Sequence, residues 1–248
     1  MRWGWATLVG SSAGSWAEMT VTLEPIENFQ LIRIDQSATP SLDTEQEQLV
    51  QGAWEALRTQ NPKYFNSPML SFESASPGNG NIIASVRPYM HHAVRDTIDL
   101  GISLLAVTAV VLVGDRVLIG KRSVHSHRYG GLWELGPSGG IDVPEHTGLI
   151  DRNGLLNEAV REVEEEAGFV PSVIRHDIVA LIHDHQVGST DLAVVMQIEP
   201  PETLSINWEY EDTRWLPLNE LVAMCDEEPD KLIPTTIALA RFLHAARA

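Results

Sequence analysis

Apolar positions along the chain recur with two periods, and the period assigns the element. Val21 and Leu23, then Phe29, Leu31, Ile32 and Ile34, fall on either side of Glu24-Pro25 and predict strands within 19–35. Val50, Trp54 and Leu57 share one face of an amphipathic helix over 44–60. Thr44-Glu45-Gln46-Glu47 is its capping-box candidate, and Asn61-Pro62 ends it. Trp54 suits the core better than a ligand contact. A strand near Met69–Ala75, a hairpin loop at Ser76-Pro77-Gly78-Asn79-Gly80-Asn81 and a returning strand Asn81–Tyr89 follow. Residues 19–95 are therefore expected to form an α+β amino-terminal unit.

The second half begins with the longest apolar run, Ile102–Val113, which predicts a buried strand. Gly114-Asp115 then turns it into a second strand, Arg116–Lys121. Leu156, Val160, Val163 and Ala167 form an apolar stripe on a helix over Leu155–Ala167, stopped by Gly168. Glu158, Glu162, Glu165 and Glu166 lie on the opposite side of that helix, with Arg161 one turn before Glu165. Ile178–His183 and Leu192–Ile198 read as a strand pair, and Lys231 to Arg247 supplies a last helix around Pro234.

Stacked carboxylates at i,i+3 and i,i+4 repel one another. Two explanations stay open on spacing alone: an acidic, solvated helix face, or a set of oxygen ligands for a divalent cation that also takes phosphate oxygens. Arg161 is either an orienting group or an ordinary surface i,i+4 partner, and Glu158 suits solvent or a supporting acid.

Arg161-Glu162-Val163-Glu164-Glu165-Glu166-Ala167-Gly168-Phe169 resembles the second half of the Nudix box, R-E-U-x-E-E-x-G-U with U apolar. Gly139 and Glu145 fit its first half, G-x5-E. The family has seven residues before the arginine; this chain has fifteen, His146 to Val160. The extra residues, including Thr147, Gly148, Asp151, Asn153 and Gly154, are expected to enlarge the loop before the helix. Pro137-Ser138-Gly139-Gly140 stands at the family's glycine turn, after Leu132-Trp133-Glu134.

The fold this resemblance implies is a Nudix-type α/β/α sandwich with a mixed sheet, plus the smaller amino-terminal unit. The expected division is an extension over 1–18, the amino-terminal unit over 19–95 and a Nudix hydrolase domain over 96–248. Asn61-Pro62-x-x-Phe65-Asn66, with His91-His92-Ala93-Val94-Arg95-Asp96, is similar to the nucleoside-diphosphate-sugar diphosphatases of uridine diphosphate-glucose type.

The reaction implied is metal-dependent hydrolysis of the diphosphate linkage of a nucleotide sugar such as a UDP-sugar. By the same resemblance Glu162, Glu165 and Glu166 hold Mg²⁺ or Mn²⁺, and Arg161 orients them. A further acid is expected from a later loop. Glu209, Glu211, Asp184 and Asp191 are candidates, with Glu209 and Glu211 preferred. Gly139, Gly140, Arg122, Arg128, His91 and Arg95 are the expected substrate contacts, with His125, His127 and His92 nearby. Each of these side chains taken singly also suits an ordinary loop or hydrogen-bonding role.

A coenzyme A or ADP-ribose diphosphatase is the alternative enzyme. Leu118–Ser123 faintly matches the former group, but Gly136-Pro137-Ser138-Gly139-Gly140 replaces its Phe-Pro-Gly-Gly. A non-catalytic nucleotide-sugar sensor does not need three clustered carboxylates. A Nudix-fold isomerase relies on a cysteine, and Cys225 lies far downstream.

Charge narrows the partners. Lys and Arg total 17 against 34 Asp and Glu, a net charge of −17 in 248 residues, which disfavours broad binding to nucleic acid or acidic membranes. A small-molecule nucleotide is the expected partner, and oligomeric state stays open. A single cysteine suits a reducing, cytoplasmic setting. Met1–Ala17 lacks the continuous apolar centre of a signal peptide and is expected to be a poorly ordered extension, with Met19 as the natural start.

Overall fold

The computed structural model describes residues 20–35, 41–62, 64–76, 80–126, 128–146 and 148–247, so the expected extension over 1–18 lies outside the described residues. In chain order the strands are β1 (Val21–Pro25), β2 (Leu31–Ile34), β3 (Pro68–Ser76), β4 (Asn81–Pro88), β5 (Leu104–Val113), β6 (Arg116–Arg122), β7 (Trp133–Leu135), β8 (Ser138–Gly140), β9 (Leu149–Asp151), β10 (Val173–Asp184), β11 (Ser189–Ile198) and β12 (Tyr210–Pro217). The helices are α1 (Thr44–Gln60), α2 (Tyr89–Ala93), α3 (Arg152–Glu162), α4 (Leu218–Glu227) and α5 (Pro234–Ala245).

β5 organises the packing because it is apolar on both faces. Leu105, Val107, Ala109 and Val111 point into a core shared with Leu155, Ala159, Val163 and Ala167. Val110 and Leu112 point the other way, against Leu221 of α4 and Leu239 of α5. The period-two alternation of one strand thus sets two layers of helix on either side of a sheet. A third cluster joins Val50 and Trp54 of α1 to Ala93 and Val94.

Among the described residues the strands form one mixed sheet, running β1-β10-β11-β5-β3-β4-β2-β9, with β8 on β5 and with β7 and β12 on β6. β11–β5 and β2–β4 are parallel; every other pairing is antiparallel. The amino-terminal strands join this sheet at separate places: β1 on β10, β2 on β9, and β3 on β5 through Ser71 and Leu104.

Local chemistry departs from the sequence expectations at four points. The cap of α1 is Asp43, one residue earlier than predicted: its carboxylate accepts from the Gln46 amide at 2.8 Å, and the Gln46 side chain accepts from the Asp43 amide at 3.1 Å. Aspartate caps as well as threonine, and glutamine completes the box. The glycine segment is a short strand, β8, antiparallel to β5, and not a turn.

The expected loop enlargement instead contains β9, which pairs with β2 and buries Ile150 at 7% exposure. Asp151 then caps α3 through the Gly154 amide at 2.8 Å, starting the helix three residues earlier than predicted, at Arg152.

The fourth departure matters most. Val163–Ala167 is a π-helical turn, ended by Gly168 at φ 72°. Leu155 and Ala159, with Val163 and Ala167, are the fully buried apolar positions, while Leu156 and Val160 are only partly buried. Glu162 and Glu166 are buried too, at 5% and 3% exposure. The wider turn carries Glu166 round towards the sheet, so two of the four carboxylates face protein and not solvent.

Candidate active site

The glycines of β8 let the chain lie directly on α3. A Cβ on Gly139 would overlap the Glu162 carboxylate, so only glycine admits that approach. One residue away, the Ser138 amide donates to Glu166 Oε2 at 3.3 Å. Arg161 fastens the other side: its guanidinium donates to the Gly140 carbonyl at 3.2 Å and to Glu158 at 2.9 Å. It also pairs with Glu162 at 2.7 Å and with Glu165 at 3.2 Å.

Burial lifts the Glu162 carboxyl to about 7; Arg161 opposes that rise, and Glu165, Glu209 and Glu158 add to it. Glu166 is pushed well above the usual carboxylate range, first by burial and then by Glu134, Glu209 and Glu162. Glu134, buried below them, is also raised by burial, against the pull of Arg122. Arg122 donates both contacts of that pair, at 2.8 and 2.9 Å. Burial works to lower its pKa, but Glu134 outweighs it and the guanidinium stays charged. Tyr210, buried beside Glu134 and Glu166, is pushed up by burial and by both acids. Neither Glu134 nor Tyr210 was a site candidate from the sequence. The Leu-Trp-Glu segment pointed to the first, while nothing in the spacing marked the second.

The remaining candidates separate in space. Glu209 is close enough to raise both Glu162 and Glu166, whereas Glu211 is exposed, bonded to Lys121 at 3.2 Å and to the Val124 amide at 3.1 Å. Gly139, Gly140, Arg122 and Arg128 line one cavity of about 170 Å³, where His92 stands in place of His91. Arg128 is anchored to Asp96 at 2.8 and 3.0 Å. His91 interacts with Arg87 and Glu47, away from this cavity, and burial lowers its pKa. Arg95 lines a separate cleft with His183 and His185, holding Asp99 at 3.1 Å and the Ile102 and His185 carbonyls at 3.3 Å. Asp184 and Asp191 line the first cavity and not the carboxylate cluster. Glu145 is exposed beside His146.

The donor chemistry suits a hard divalent cation. Glu158, Glu162, Glu165, Glu166 and Glu209 act on one another through their charge, while Arg161 pairs with Glu158, Glu162, Glu165 and, at 3.7 Å, Asp142, and Arg122 is spent on Glu134. Acids raised first by burial and then by neighbouring carboxylates gain most from an added positive charge. Among the described residues, no three such side chains already surround one point as metal ligands. Glu165 is held on Arg161 at 3.2 Å.

The NUDIX domain family model matches residues 103–236. The chain belongs to the Nudix family, which generally uses divalent metals. It is similar to the NUDIX domain of Shewanella oneidensis NrtR complexed with ADP ribose: 22% identity, 59% of this chain, 89% of that one, TM-score 0.45. It is also similar to a MutT protein from Methanosarcina mazei Go1, at 19% identity over 59% of this chain and 96% of that one, TM-score 0.41. A bifunctional NMN adenylyltransferase/ADP ribose pyrophosphatase from Francisella tularensis, complexed with AMP and a Mn ion, matches at 18% over 58% of this chain and 42% of its own, TM-score 0.40. No curated protein matches the chain. Among the described residues no helix is long and apolar enough to cross a membrane.

Proposed function

We propose that the protein hydrolyses the diphosphate linkage of a nucleotide sugar, with a UDP-sugar as the preferred class, using Mg²⁺ or Mn²⁺. The observation that carries this proposal is the burial of Glu162 and Glu166 against the glycine strand that also walls the cavity. Burying two carboxylates, of which Glu162 pairs with Arg161 and Glu166 accepts from the Ser138 amide, is costly for a fold alone. A diphosphate brings further negative charge, so the same place must receive cations.

Glu162, Glu165 and Glu166 would hold the metal, which when bound neutralises the diphosphate and activates water. Arg161 orients Glu162 and Glu165, and ties them to the Gly140 carbonyl. Glu209, beside the two buried acids, is better placed than Glu211 to accept the proton from water. Arg122 pairs with Glu134 below the glycine strand and opposes the rise that burial gives it, and Arg128 adds positive charge to the cavity wall. Residues 19–95 act as an accessory unit to the hydrolase over 96–248. A cytoplasmic location suits the buried, raised thiol of Cys225.

The test is a panel of uridine, guanosine and adenosine diphosphate sugars, with coenzyme A and ADP-ribose, incubated with excess Mg²⁺ or Mn²⁺. Release of a nucleoside monophosphate, greatest from a UDP-sugar and abolished by chelator, is expected. Binding without release would make the protein a sensor, and preference for coenzyme A or ADP-ribose would overturn the sugar assignment.

A further inference from the structure

The cavity beyond the glycine strand has a near side and a far side, set by strand register. β8, β5, β11 and β10 lie side by side in that order, with Gly140 level with Ala106, Ala106 with Asp191, and Asp191 with Ile182. The lining runs from Ser138 and Gly140 at one side to Ile182 and Asp184 at the other, three strand spacings or about 14 Å. Gly139, between the first pair, abuts Glu162, so the near side is the side of the acids.

Tyr129 stands at the far side. Its hydroxyl donates to Asp184 Oδ2 at 2.7 Å, and both residues line the cavity. Asp184 is 1% exposed and also accepts the Gln186 and Val187 amides, at 3.0 and 3.2 Å. The phenol is therefore fastened to the turn that joins β10 to β11. Burial, then the bond to Asp184, push its pKa up, so it stays protonated and donates. The backbone is held as well: the Tyr129 carbonyl accepts the Leu132 amide at 3.2 Å, and the Arg128 carbonyl accepts Arg122 Nε at 3.2 Å. Tyr129 is the one non-glycine residue at positive φ (54°) among those described. A bulky side chain keeps that conformation only where its surroundings impose it.

We propose that Tyr129 is a specificity-determining residue: its ring ends the cavity against Asp184 and limits the nucleobase seated there to the size of a pyrimidine. The assignment rests on the hydrolase function above and supplies a physical reason for its preference for a UDP-sugar. At about 170 Å³ the cavity is smaller than pockets that enclose a whole drug-sized ligand, so the second ring of a purine meets the wall. Leu104, Ala106, Ile182, Val187 and Leu239 give apolar walls, which match the flat faces of a base better than a sugar with hydroxyls in every direction. A ring tied at its hydroxyl to a buried acid, and at its backbone to two neighbouring segments, does not yield to a longer base.

The test is calorimetry of the intact protein with UMP, CMP, AMP and GMP, and with glucose 1-phosphate and N-acetylglucosamine 1-phosphate. The pyrimidine nucleotides should bind ten-fold or more tighter than the purine nucleotides. Tyr129→Gly removes the ring and suits the positive φ, and should cut that preference below three-fold by admitting purines. The shorter Tyr129→Leu takes its place should the glycine variant not fold. Tyr129→Phe keeps the ring and should keep the preference. Equal binding of pyrimidine and purine nucleotides by the wild type, a preference that survives loss of the ring, or its loss in the phenylalanine variant would each overturn the assignment. So would variants that shift only the balance between the two sugar phosphates. Metal-dependent monophosphate release by the wild type, measured in parallel, judges the hydrolase function separately. Release without size discrimination sinks only the role of Tyr129, and discrimination without release sinks only hydrolysis.

Discussion

Gly139 of β8 and Glu162 of α3 are in direct contact, with the carboxylate filling the space where a side chain would stand. Gly139→Ala must push that carboxylate aside. The expected result is at least a ten-fold fall in kcat/KM with a stability loss of about 1–3 kcal/mol, as for other overpacked positions. Steady-state kinetics and thermal melts of both proteins check it; full activity in the alanine variant would show that Glu162 has no fixed position to defend.

Glu166 is buried among acids that raise its pKa, so its charge works against the fold. Glu166→Gln keeps the shape and removes that charge. In the presence of chelator the variant should melt at a higher temperature, gaining about 1 kcal/mol or more, while metal-dependent turnover falls at least a hundred-fold. Glu165→Gln, on an exposed residue, should lose activity without the gain in stability. A Glu166→Gln protein that is both less stable and fully active would refute the trade.

Arg161 serves Glu158, Glu162, Glu165 and the Gly140 carbonyl from one planar group. An ammonium is a single point and cannot span them. Arg161→Lys should therefore cut kcat ten-fold or more while the circular dichroism spectrum stays unchanged. Wild-type turnover in the lysine variant would reduce Arg161 to a surface pair.

Asp191 gives a pH dependence with a definite sign. Its folded pKa of about 6 lies above the ordinary aspartate value of 3.8, so the folded state binds the proton more tightly. Stability from this group is fully present below about pH 4 and is lost as pH rises through 6, a change on the order of 3 kcal/mol. Glu162 and the other raised acids tilt the same way, so the informative quantity is the difference between wild type and Asp191→Asn. Denaturant melts from pH 4 to 7 should show the variant gaining on the wild type across that window. Parallel curves would mean that Asp191 is not held as described.

Much of the strand and helix order was legible because it depends on local period. The hydrophobic run ending at Val113, the helix over 44–60 and Gly168 at the end of the acidic helix all follow from neighbours in sequence. β9 was not legible. Leu149–Asp151 is short and flanked by loop formers, and it is a strand only because β2, more than a hundred residues earlier, supplies its hydrogen bonds. The burial of Glu162 and Glu166 was hidden for a related reason. A regular helix places them opposite the apolar stripe, whereas the π-helical turn and the side-chain-free strand β8 together turn them inward.

By itself the sequence determined the spacing of Arg161, Glu162, Glu165 and Glu166, since a helix fixes it whatever surrounds it. Tertiary structure decided which of them lose water, that Glu209 joins them and Glu211 does not, and that Asp191 is buried beside Thr108. Those outcomes depend on distances between segments far apart in the chain, and burial and charge act through space with no regard for sequence order.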